Sequence, residues 1–154
     1  MSVASIRFDR AFGARVLAAA WIAAGAFAHA DAPFKTAQIK VGAHPLKGEV
    51  AQSDEQRMRG LMFREKLGRD DGMLFVFDEP AYQAMWMKNT LIPLSVAFLD
   101  GDGVILNVLD MEPQTLDTHQ SAGPAVYAIE TNKGWFAQKK LGAGTKVTGL
   151  PKVK

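Results

Sequence analysis

The 154-residue chain contains no cysteine. That absence excludes a disulfide framework, a thiol nucleophile, a cysteine zinc site and a lipid-modified cysteine. Histidine is scarce: three residues, of which His44 and His119 lie far apart in the chain, and neither has a mate at ligand spacing. Charge of a single sign is also lacking. Eighteen Lys and Arg stand against sixteen Asp and Glu, a net charge of +2, and no basic stripe marks a nucleic-acid binder. Internal repeats and low-complexity tracts are missing. The longest uncharged apolar run, residues 16–28, has thirteen residues, short of the roughly 20 needed to span a bilayer.

That run has a recognisable setting. Arg7, Arg10 and Arg15 precede it, and Ala28-His29-Ala30 follows. A basic start, a short apolar stretch and an A-x-A exit form a secretory signal peptide. Residues 1–30 are therefore expected to be a signal peptide, cleaved near Ala30 or just upstream at Ala28. Residues 31–154 are expected to be one globular domain, periplasmic or secreted, with no membrane span after processing. The leader holds Arg7, Arg10, Arg15 and Asp9, so the remainder carries fifteen charges of each sign. No cofactor is expected.

The remainder reads as short elements. Residues 34–41 and 46–52, separated by Gly42-Ala43-His44-Pro45, suit a hairpin. Ser53-Asp54-Glu55-Gln56 fits a helix-opening capping box, with Met58, Leu61 and Met62 at core-facing spacing. Residues 63–72 read as a loop. Residues 73–77 and 94–99 are apolar on both faces, as central strands are. Asp78-Glu79-Pro80-Ala81 is expected to break the first. In residues 83–88 the alternation puts Met85 and Met87 on one face and Trp86 and Lys88 on the other. Asp100-Gly101-Asp102-Gly103 predicts a hairpin turn with a return strand over 104–111. Residues 112–124 read as a long loop and 125–131 as a strand. A short helix follows near 135–141, and a last strand at 145–150. The expectation is α+β: a mostly antiparallel, curved or barrel-like sheet of about seven or eight strands, with one or two short helices and no regular βαβ alternation.

Several strings are distinctive. They are Arg57-x-x-Gly60-Leu61-Met62-Phe63-Arg64, Gly72-Met73-Leu74-Phe75-Val76-Phe77, Met85-Trp86-Met87-Lys88-Asn89-Thr90-x-Ile92-Pro93-Leu94 and Phe98-Leu99-Asp100-x-Asp102-Gly103. With Tyr127-Ala128-Ile129-Glu130 and Gly134, the chain from about Val50 onward resembles domain-of-unknown-function family 192. The resemblance implies a compact α+β domain, often behind a bacterial signal peptide. It implies no activity. Phe63 stands where the family often has tyrosine, and Ser95 where aspartate is common.

The candidate ligand-binding residues are Trp86, Lys88, Asn89 and Thr90, supported by Arg57, Arg64 and Glu130. An indole supplies apolar area and the neighbouring amine and amide supply polar contacts, which suits a sugar, a peptide or an anion. The competing reading makes Trp86 core and lets Lys88 snorkel to water. Arg57 and Arg64 could fork onto Glu130 or Asp100, or onto a bound anion. Glu130, within an apolar strand, is the best candidate for a buried carboxyl. No catalytic set and no metal site is assigned. Thioethers of Met85 and Met87 could hold Cu(I), but methionines in apolar runs usually fill cores. Asp100-x-Asp102 lacks the later ligands of a calcium loop. The leading expectation is a non-catalytic module binding a polar envelope ligand. Alternatives are a hydrolase-like envelope enzyme using Glu130 or Lys88, and a protein–protein module of the cell envelope.

Overall fold

The computed structural model describes residues 33–153. The signal-peptide reading therefore falls outside the described residues. No described helix is long and apolar enough to cross a membrane. In chain order the elements are β1 (Lys35–Val41), β2 (His44–Ala51), α1 (Asp54–Arg59), β3 (Asp71–Ala81), β4 (Ala84–Met85), β5 (Leu94–Leu99), β6 (Ile105–Met111), β7 (His119–Gln120), β8 (Ala125–Asn132), α2 (Trp135–Gln138) and β9 (Val147–Thr148).

Seven strands form one sheet in the order β6-β5-β8-β3-β2-β1-β9, and β4 pairs with β7 in a separate ribbon. Every neighbour in the large sheet is antiparallel except β2 and β3. The sheet curls until its two margins meet at one end. Val104 bridges Lys146, Ile105 N donates to Thr145 O at 2.9 Å, and Val147 N donates to Gly103 O at 2.8 Å. The expected α+β fold with a curved, mostly antiparallel sheet is thus present as a half-barrel.

Both faces of the central strands are apolar, so each face has its own core. One cluster gathers side chains from all seven strands, among them Ile39, Leu46, Leu74, Leu99, Ile105, Ile129 and Val147, with Trp135 and Phe136 of α2. It fills the inside of the curl. The opposite face of β3, β5 and β8 carries Met73, Phe75, Val96, Phe98 and Ala128, covered by Leu61, Met87 and Met111. Burying each large side chain is worth about 1.5–3 kcal/mol. Glu130 follows Ala128 by two residues and shares its face.

The parallel pair β2–β3 needs a crossover, and the segment carrying α1 supplies it, a single β-α-β unit in a sheet without regular βαβ alternation. Three local expectations are corrected. β3 continues through Asp78-Glu79-Pro80 instead of breaking, with its pairing to β8 shifting register between Val76 and Ala81. The strand expected over 83–88 shrinks to Ala84–Met85. Its partner β7 lies inside the segment read as a plain loop.

The helix opening is as read. Ser53 Oγ accepts from Gln56 N at 3.2 Å, and Gln56 Oε1 accepts from Ser53 N at 3.3 Å. α1 has no buried residue of its own. Met58, expected in the core, points outward and is 77% exposed. Arg57 occupies the inward position instead and anchors the helix. Its Nη1 donates to Gln52 O at 2.7 Å and to Val76 O at 2.8 Å. Gly60, at φ 47°, ends the helix, where a Cβ would meet the ring of Phe75 at 3.3 Å.

Candidate functional site

A groove of about 1410 Å³ lies on the outer face of the sheet. One wall is α1 and the turn after it, with Met58, Leu61 and Phe63. The other is the segment around β4, with Met85, Trp86, Lys88 and Asn89. Phe75 and Phe77 of β3 and Glu130 of β8 complete the lining. α1 borders this groove with its arginine turned inward to Gln52 O and Val76 O and with no buried residue of its own.

Glu130 is 4% exposed. Its register partners are Met73 on β3 and Val96 on β5, both fully buried. Among the described residues no side chain or amide donates a hydrogen bond to its carboxyl. Burial alone pushes its pKa from the ordinary 4.5 up to about 8. An ionised carboxylate is costly without a partner, so this group holds its proton at neutral pH. The expectation that Arg57 or Arg64 would pair with Glu130 or Asp100 is corrected here. Arg57 binds Asp54 and Asp78, the latter at 2.9 Å. Burial works against the charge on its guanidinium, but those carboxylates outweigh it and hold its pKa above the usual value. Arg64 forks onto Glu49 through both terminal nitrogens and lines a separate small cavity with Lys47, Lys66 and Asp71. Arg57 stands at the groove wall; Arg64 does not.

Trp86 is 53% exposed, so the reading of its indole as core is wrong. The ammonium of Lys88 lies 5.6 Å from its ring centroid, a cation–π contact worth about 0.5–1 kcal/mol at an exposed site. Met87 between them is fully buried. The alternation read from the sequence therefore holds beyond the two residues that pair as a strand. Asn89 has φ 57° and Phe63 φ 62°, and the two are tied by Phe63 N donating to Asn89 O at 2.9 Å. Asparagine tolerates this left-handed backbone; phenylalanine rarely adopts it. Thr90 is buried, and its hydroxyl donates back to Lys88 O at 3.4 Å. Its amide donates to Met87 O and its carbonyl accepts from Gln114 N. It shapes the turn more than it faces a ligand.

Phe63, at 69% exposure, and Met58 belong to the groove and were not among the sequence candidates. The missing hydroxyl at Phe63 was the available signal. Elsewhere, Asp100 Oδ1 accepts from Asp102 N and Val104 N, closing a plain turn. No group of three or more His, Cys, Asp or Glu that could hold a metal ion occurs among the described residues.

The profile of the family DUF192, described as "Uncharacterized ACR", matches residues 37–149. A solved structure of a putative transcription regulator from Sinorhizobium meliloti is similar at 31% identity and a TM-score of 0.74, covering 77% of this chain and 97% of that one. A protein of unknown function from Novosphingobium aromaticivorans is similar at 28% identity and a TM-score of 0.67, over 77% of this chain and 93% of its own. No curated protein matches the chain.

Proposed function

We propose that this chain, which belongs to the DUF192 family, is an exported binding module whose groove takes a small polar molecule with a flat apolar face. A sugar or a peptide side chain of the cell envelope has that chemistry. The observation that carries the reading is the half-exposed indole of Trp86 beside Lys88 at a groove lined by Phe63, Met85, Phe75 and Phe77. Aromatic platforms with a few convergent polar groups are how such ligands are held. The apolar face lies on Trp86, and Lys88 and Asn89 meet the polar edge. Export, with cleavage near Ala30, rests on the basic start, the apolar run and the A-x-A exit of residues 1–30.

An anion is the weakest of the ligand classes. Arg57 and Arg64 are both engaged by carboxylates of the chain, which leaves Lys88 without guanidinium support. The balanced charge also gives no support to nucleic-acid binding, which the description of the Sinorhizobium relative would invite.

The test is titration with muropeptide and oligosaccharide fragments, followed by the indole NMR signal of Trp86. A saturable shift is expected in the millimolar range or tighter. Trp86→Ala should abolish binding while changing stability by no more than ~0.5 kcal/mol, as exposed positions do. No shift with either class, or binding that survives Trp86→Ala, overturns the reading.

A further inference from the structure

We propose that the groove selects ligands that carry an ammonium next to their ring, held by the carboxylate of Glu130 at the floor. The inference rests on the binding reading above and names the ligand chemistry for the same site. Glu130 is 96% buried, reaches the groove, and has no hydrogen-bond or ionic partner among the described residues. Buried carboxyls are normally satisfied by the protein itself. This one sits among Met73, Val96 and Phe75 instead.

The charged groups around the groove are Asp54, Glu55, Arg57 and Arg59 from α1, Asp78 and Glu79 from β3, and Lys88 from the turn. β5 and β8 bring none besides Glu130 to this face. None of these charges acts on Glu130; burial alone accounts for its raised proton affinity. Arg57 is already bound by two carboxylates, and Lys88 rests against Trp86. The chain thus brings a proton acceptor to the base of an apolar slot and supplies no cation for it.

An ammonium entering the slot provides the missing charge. Its N–H groups donate to the carboxylate oxygens, bonds about twice as strong as neutral ones. The protonated carboxyl releases its O–H proton to solvent, and the ammonium keeps its own three. The balance is one ligand cation bound and one proton released. At pH below about 8 that release opposes binding, so affinity for an ammonium falls about tenfold per pH unit on acidification. A neutral ligand of the same shape leaves the proton in place and shows no such slope.

The probes are benzylamine and benzyl alcohol, titrated into the chain from pH 6 to 8 and read by the Trp86 indole signal. The amine is expected to bind more tightly at pH 8, to weaken about fivefold by pH 7 and about tenfold more by pH 6, while the alcohol stays constant. Calorimetry of the amine in two buffers of different ionisation enthalpy should count about one proton released at pH 7. Glu130→Gln should remove both the preference and the slope. If that variant does not fold, the proton count on the unaltered chain decides. Equal affinity for amine and alcohol with no slope overturns this inference and leaves the binding reading standing. Failure of both probes to move the indole signal counts against both.

Discussion

Replacing Glu130 by glutamine should stabilise the chain, and by an amount that grows with pH. The carboxyl keeps its proton up to about pH 8 in the folded chain but loses it near 4.5 when unfolded. Between those values the folded state binds more protons than the unfolded one, so stability falls as pH rises. The contribution is fully present below 4.5, declines by about 1.4 kcal/mol per pH unit, and flattens above 8. At pH 7 the wild-type chain has given up roughly 3 kcal/mol, a large share of the 5–15 kcal/mol typical of a domain. Glutamine keeps the shape and cannot titrate. All other ionisable groups cancel in the difference between the two chains. Urea unfolding at pH 5, 6, 7 and 8 should therefore give a stability difference that widens in favour of Glu130→Gln by about 1.4 kcal/mol per unit. A difference that stays constant from pH 5 to 8 would contradict a Glu130 carboxyl that holds its proton in the folded chain. It would mean that the carboxyl is as well hydrated in the folded chain as in the unfolded one, and the groove floor would lose its special character.

Two structural substitutions probe the frame around the groove. Gly72→Ala places a Cβ 2.5 Å from the carbonyl oxygen of Glu130, forcing β3 and β8 apart; a loss of about 1–3 kcal/mol is expected in urea unfolding, and a neutral result would contradict the close strand approach. Ser95→Ala removes the acceptor of Gly134 N, held at 2.8 Å, and losing the partner of this half-buried amide should cost about 0.5–1.5 kcal/mol.

Much of the frame is readable from local rules. The capping box at Ser53 and Gln56 encodes its own geometry, because the side chains bond only to nearby backbone. The Asp-Gly turn at 100–103 does so too. The continuous apolar runs at 73–77 and 94–99 declare two-sided burial. Glu130 was legible as a buried carboxyl for the same reason: it stands alone in an apolar strand. Its lack of a partner was not, since pairing across 73 residues depends on where Arg57 lands. That arginine replaced Met58 as the anchor of α1, because backbone carbonyls at Gln52 and Val76 offered it two acceptors. Hydrophobic spacing cannot register such an exchange. The left-handed backbone at Phe63 is equally silent in sequence, since it is imposed by the tie to Asn89 from a distant turn.

The seam where Val104 meets Lys146 takes up the backbone groups at one end of each margin of the large sheet, where a foreign strand could otherwise extend the ladder. Gly144 N donates to Ile105 O at 2.8 Å, and Val147 pairs with Val41 on the other side. A single short, glycine-rich stretch therefore ties both margins at that end. Nicking it would unmask two templates at once, and exposed margins of this kind nucleate chain-to-chain stacking. Cleavage there is expected to raise light scattering from aggregates through residues that do not line the groove.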